Sequence, residues 1–313
     1  MKKGTLIVSV LTLALLQACG GDGSDNSNVT PAPSGSGGGG DGGGSVTPPG
    51  GTGGGDGGNV TPPGGSGGDD SGSGGTTPPP ATGNDQGSVS APFVATSPSR
   101  YMLDYQNGWS NGVLVGTEQA TSGAIVGLTR SSDAVSLSGS SATKDIAGDA
   151  SYALGRWVTG TVTTASGADQ LTGTDDRSYH YAAYNILASF PATGSYACTL
   201  QSATTPTRVS GSGAMTGVVD GAINLSFDAT GANLSGAMTV TVGAETVTAG
   251  VPTSIGSPTS LAATGQFYAN NTGTGVQVAD AGNGNYALMV AYAAKLANTS
   301  LYHGIARLSC AAN

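Results

Sequence analysis

The stretch Ala222-Ile223-Asn224-Leu225-Ser226-Phe227-Asp228-Ala229-Thr230-Gly231-Ala232-Asn233-Leu234 decides the fold class. Ile223, Leu225 and Phe227 alternate with Asn224, Ser226 and Asp228, so one side of an extended chain is apolar and the other wet. Leu234, Met238, Val240 and Val242 repeat the pattern against Ser235, Thr239 and Thr241, and Tyr196, Cys198 and Leu200 do so upstream. Period two over short runs separated by Gly, Asn and Asp is the signature of antiparallel sheet.

Working outward, the same reading gives strands at Tyr101–Tyr105, Gly112–Glu118, Ala124–Leu128, Val135–Ser138, Leu154–Thr163 and Tyr179–Leu187. It adds Leu261–Tyr268, Asn285–Ala293 and Tyr302–Cys310. No long amphipathic helix interrupts them. The expected class is all-β: a small antiparallel β-barrel of about eight strands over residues 151–313, with a short N-terminal β subdomain over 91–150. Ser141–Ser151 is the expected internal boundary. A membrane-spanning barrel fits poorly, because aromatics are only 5% of the chain and the outward strand positions are rich in Thr and Ser.

Residues 19–90 are of another kind. Of 55 glycines, 27 lie between Gly20 and Gly87, and Val46-Thr47-Pro48-Pro49-Gly50-Gly51 returns as Val60-Thr61-Pro62-Pro63-Gly64-Gly65. Such a tract has no apolar face to bury, so it reads as a disordered Gly/Pro/Ser/Asp linker. With about 70 residues its mean reach is roughly 40–50 Å. Calcium-binding nonapeptide repeats need an apolar anchor in each unit, which this tract lacks.

Charge sorts the same way. The formal net charge is -9, from 10 Lys and Arg against 19 Asp and Glu, and seven of those acids fall in the linker. Nucleic acid is excluded as a partner, since phosphate binding needs clustered cations.

Residues 1–18 read as an export signal: Lys2 and Lys3, then a short apolar run over Leu6–Leu16, too short to span a bilayer. Leu16-Gln17-Ala18-Cys19-Gly20-Gly21 resembles the lipobox of bacterial lipoproteins. The resemblance implies cleavage before Cys19, a diacylglycerol thioether on Cys19, and acylation of the new amino terminus. More than one acyl chain is what stable anchoring requires. Gly20, not Asp, points by that resemblance to the outer membrane. An ordinary secretory signal is the alternative.

Cys198 and Cys310 are the remaining cysteines. In an exported chain they are expected to form a disulfide. No catalytic residue and no metal ligand set is assigned, and no cofactor is expected. His180 and His303 lie inside expected strands, without a nucleophile elbow nearby. Asp175 and Asp176 read as a solvated turn, and Gly211-Ser212-Gly213 and Gly273-Thr274-Gly275 as hairpin glycines. One cluster offers a possible ligand-binding surface: Tyr179, His180, Tyr181 and Tyr184, joined by Tyr302 and His303. Tyr and His ligate haem iron, aromatics suit a protein interface, and Tyr is also an ordinary strand residue.

From Leu154 onward the chain resembles the C-terminal β-barrel of transferrin-binding-protein-like surface lipoproteins of Gram-negative bacteria. Gly265-Gln266-Phe267-Tyr268, Tyr286–Ala293 and Gly304-Ile305-Ala306-Arg307-Leu308 carry the likeness. Ala269 stands where that family often has Gly, and its acidic Gly-Gly turn is absent. The resemblance implies a non-enzymatic binding or display protein, lipid-anchored at the outer membrane and facing the cell surface. A host protein or an iron or haem carrier is the implied ligand. The alternatives are a periplasmic structural lipoprotein bracing an envelope complex and an envelope hydrolase using His180 or His303.

Overall fold

The computed structural model describes residues 84–313 apart from 107, 174–176, 266 and 268–270. Cys19, the export signal and the linker up to residue 83 lie outside the described residues, as do Asp175, Asp176 and Tyr268. The described chain is all-β, with a closed barrel of six strands and a nearly closed barrel of eight.

The first sheet contains β1 (Gly87–Val89), β2 (Ser99–Tyr105), β3 (Gly108–Gln119), β4 (Ile125–Arg130), β5 (Ala134–Asp149), β6 (Tyr152–Thr164), β7 (Gly167–Thr172) and β8 (Tyr179–Asn185). They run in the order β1-β5-β4-β3-β2-β8-β6-β7, and an added β5–β6 pairing closes the ring of six. Asp149 pairs with Tyr152 in the β5–β6 hairpin. The boundary expected at Ser141–Ser151 therefore falls inside one barrel. The chain passes to the other sheet after Asn185, because β6 and β8 are needed to close the first ring. Residues 84–90, expected as the end of the linker, are also bound here. β1 pairs in parallel with β5, and Asp85 accepts hydrogen bonds from the Ser122 hydroxyl (2.6 Å) and the Thr143 N–H (2.9 Å).

The second sheet contains β9 (Gly194–Ala203), β10 (Thr207–Ser210), β11 (Val218–Asp228), β12 (Gly231–Val242), β13 (Glu245–Gly250), β14 (Ser254–Ile255), β15 (Ala262–Gly265), β16 (Gly273–Gly282), β17 (Asn285–Lys295) and β18 (Leu301–Ala312). Its path is β13-β12-β11-β9-β18-β17-β16-β15, with β13 coming back against β15, β16 and β17. Gly273 to Gly275 open β16 and are strand residues, not hairpin glycines. The stretch that decided the class forms the β11–β12 hairpin, with Asp228 paired to Gly231. The Asp228 carboxylate accepts from the Thr230 N–H (2.7 Å) and hydroxyl (2.6 Å) and from the Asn233 amide (2.8 Å). Those bonds hold its carboxyl below the usual range, and they set the turn chemistry.

Each barrel has its own lumen. Leu103, Leu128, Val135, Trp157 and Tyr181 fill the first; Ile223, Leu225, Val240, Val276, Leu288 and Val290 fill much of the second. A third apolar layer lies between them, where Met102, Leu154 and Tyr184 of the first sheet meet Met289, Ala291 and Ile305 of the second. The strands at this contact are buried on both faces. Every residue of β8 is buried, as are Ala287–Ala294 of β17. That explains why these stretches read as continuous apolar or aromatic runs, without alternation.

Cys198 and Cys310 form the expected disulfide. They are register partners on adjacent strands β9 and β18, with Cα atoms 3.9 Å apart, so the bond ties two neighbours in the second barrel.

Candidate functional site

Alternation along β2, β8 and β18 sends the expected Tyr/His residues to three different places. Tyr179 and Tyr181 point into the first lumen, Tyr302 into the second, and His180, Tyr184 and His303 into the seam between barrels. All six are buried. The structure therefore brings His180 and His303 together but separates them from most of the tyrosines.

The seam is polar at its centre. His303 Nδ1 of β18 lies 2.9 Å from Asp104 Oδ1 of β2, with side chains 3% and 1% exposed, so a buried polar contact joins the barrels in a dry environment. Burial raises the Asp104 carboxyl above its ordinary value, and His303 only partly offsets that cost. Asp104 Oδ2 and His303 Nε2 are buried without a hydrogen-bond partner.

His180 is the register partner of Asp104 on β8. Its Nδ1 lies 2.7 Å from Thr204 Oγ1 and its Nε2 2.7 Å from Thr207 Oγ1. Thr204 Oγ1 also takes the Ile305 N–H at 2.9 Å and lies 3.2 Å from the Ile305 carbonyl. A neutral-ring proton assignment satisfies every group. The Thr204 hydroxyl donates to Ile305, the His180 Nδ1–H donates to Thr204, and Nε2 accepts from the Thr207 hydroxyl. Thr207 can then accept from Ser178, 3.1 Å away. Burial favours this neutral ring. Burial first, then Arg156 and His303, holds its value well below 6.5.

A charged link lies beside it. Arg156 of β6 donates to Asp145 of β5 at 2.8 Å, and Asp145 also accepts the Thr205 N–H (2.9 Å) and hydroxyl (3.0 Å) from the second barrel. Tyr184 donates to Gln277 of β16 at 2.7 Å. Sequence reasoning missed Asp104, Asp145, Arg156, Thr204, Thr205 and Thr207. Two carried a signal: Asp104 is a lone acid in Tyr101-Met102-Leu103-Asp104-Tyr105, and Arg156 a lone base in Leu154-Gly155-Arg156-Trp157. A charge inside an apolar strand run marks a buried pair.

The accessible chemistry is at the open end of the first barrel. Two adjoining clefts of about 300 and 220 Å³ share Thr164, Ser166 and Tyr179. Tyr105 stacks on Tyr179 with centroids 4.9 Å apart. The rim carries two opposed ion pairs, Arg130 with Asp133 (2.5 Å) and Arg177 with Asp169 (3.9 Å). The Tyr179 hydroxyl donates to Asp169 at 3.2 Å, and its value is raised, chiefly by burial and then by that carboxylate. Leu103, Val135 and Val162 form the apolar floor. An apolar floor, stacked rings and a charge-balanced rim of donors and acceptors form a surface that can hold a small polar ligand or a protruding polar loop. Among the described residues no three His, Cys, Asp or Glu side chains converge to hold a metal.

Compared with known proteins, the chain matches no family model, no curated protein and no solved structure.

Proposed function

We propose that this chain is a lipid-anchored binding protein of the cell envelope, held at the outer membrane and displayed at the cell surface, with no catalytic role. The observation that carries the reading is the sequence Leu16-Gln17-Ala18-Cys19-Gly20-Gly21 followed by a polar tract with 27 of the 55 glycines. Cys19 takes the lipid, the tract is the tether, and the twin barrel is the head.

The mouth of the first barrel is the contact surface in this reading, because it combines exposure with aromatic and paired charged side chains. A host protein, or an iron-carrier protein presenting a polar loop, fits such a rim. Direct haem ligation by His180 or His303 is disfavoured, since both rings are buried and engaged between the barrels. The periplasmic bracing role has no observation of its own in the structure.

Palmitate labelling tests the anchor. The wild type should incorporate label and partition with membranes, Cys19→Ala should do neither, and label retained in the variant would refute lipidation at this residue. For binding, the purified head is offered host fluids beside a Tyr105→Ala, Arg177→Ala double variant. The reading requires a protein retained by the wild type and lost from the variant; equal retention would move the surface elsewhere.

A further inference from the structure

An aromatic column rises through the first lumen to its mouth and ends there. Trp157, fully buried, lies with its ring centroid 6.2 Å from that of Tyr179, and Tyr179 stacks on Tyr105 at 4.9 Å with the planes 9° apart. Tyr105, the last ring, is half-buried and lines the smaller of the two adjoining clefts. A stack that ends on an accessible ring has a place for one more flat apolar face. Leu103 and Val135 beneath it keep that place apolar.

The rim around this place carries charges that cancel. Arg130 is paired with Asp133 and Arg177 with Asp169, so an ionic ligand gains little from entering. Hydrogen-bond acceptors are left over. Asp169 has one contact on each oxygen, from Arg177 and from the Tyr179 hydroxyl, and Asp133 likewise from Arg130 and the Ser132 hydroxyl. A carboxylate has about four acceptor positions, so each acid keeps some for a ligand. Ser110, Thr164 and Ser166 add hydroxyls along the same clefts. The matching ligand is uncharged, brings several O–H donors, and has one flat apolar side. A pyranose ring has that combination: hydroxyls around its edge and a face of C–H groups.

We infer that the mouth of the first barrel recognises a neutral glycan, with one sugar ring in each of the clefts of about 220 and 300 Å³. One ring lays its C–H face on Tyr105 and donates hydroxyls to Asp133; the next donates to Asp169. The inference rests on the mouth being the contact surface proposed above, and adds that a host partner is held there by its sugar.

The test uses the mature chain from residue 19 with Cys19→Ser, applied to a printed array of neutral and acidic glycans. The best neutral glycan is then titrated calorimetrically and followed by saturation-transfer NMR. The expected result is binding to neutral glycans, with saturation strongest on ring C–H protons. Tyr105→Ala should weaken it about tenfold, the size of one lost aromatic contact. Asp169→Asn changes only a rim side chain that is 40% exposed, so it should keep the strand signal in circular dichroism while also weakening the glycan. No neutral glycan bound, binding to acidic glycans alone, or an affinity that Asp169→Asn leaves unchanged would overturn the inference. Host fluids stripped of glycans by glycosidases separate it from the wider reading. A host protein still retained through the mouth after stripping overturns the sugar and keeps the contact surface. A neutral glycan bound at the mouth when no host protein is retained keeps the sugar and removes the host-protein partner.

Discussion

Gly155 and Gly304 do the same job in the two barrels. Gly155 is the register partner of Tyr181, and Gly304 of Tyr292. In each case a methyl group on the glycine would overlap the tyrosine ring and hydroxyl lying across it. The missing Cβ lets a large ring fold over the neighbouring strand and place its hydroxyl. Tyr181 accepts the Ile125 N–H at 3.1 Å, and Tyr292 donates to the Thr204 carbonyl at 3.2 Å. Gly304→Ala should therefore lower stability by about 1–3 kcal/mol, the usual cost of overpacking. Gly250→Ala, where nothing lies within 4 Å, should change it by less than about 0.5 kcal/mol. Urea midpoints of the two variants decide this; equal losses would mean that the close approach is not what Gly304 provides.

At the scale of the element, β9 and β18 are joined by both their hydrogen-bond ladder and the Cys198–Cys310 bond. The bridge spans 112 residues of sequence. Loop-closure entropy gives on the order of 4–5 kcal/mol for a loop of that size. The Cys198→Ala, Cys310→Ala head should lose a large part of that, seen as an earlier denaturant midpoint; an unchanged midpoint would mean that the ladder alone sets stability.

Strands were legible where one face is wet. Ile223, Leu225 and Phe227 alternate cleanly because β11 faces water on its other side. The assignment of strands to barrels was not legible. β6 and β8 carry the same residue types as strands of the second barrel, and only pairing in space places Tyr152–Trp157 against Tyr179–Tyr184. The site was half legible for the same reason. The run from Tyr179 to Tyr184 announced an unusual strand, but a two-residue period sends its neighbours to opposite faces, so one cluster in sequence becomes a lumen and a seam. Short strands such as β7 and β10 escaped notice because each carries a single large apolar residue, Leu171 and Val209, and so has no alternation to read.

For the whole molecule, pH separates two opposing contributions. His180 has a folded value well below 6.5, so below 6.5 the unfolded chain binds the proton first and stability falls as pH drops toward the folded value. Asp104 runs the other way. Its folded value lies above 3.8, so its contribution is full below 3.8 and is lost as pH rises through the folded value. The difference in unfolding free energy between wild type and His180→Gln should therefore grow in favour of the variant between pH 6.5 and 5. A difference that stays constant over that range would place the acid sensitivity elsewhere.

In the proposed reading the twin-barrel head is carried on a lipid tether at the cell surface, and proteinase K digestion of intact cells is the decisive experiment. Protease should cut the Gly-rich tract and release the twin barrel into the medium as a fragment beginning near residue 84, while a periplasmic marker stays intact. A head that remains cell-associated and uncut until the outer membrane is permeabilised would contradict it.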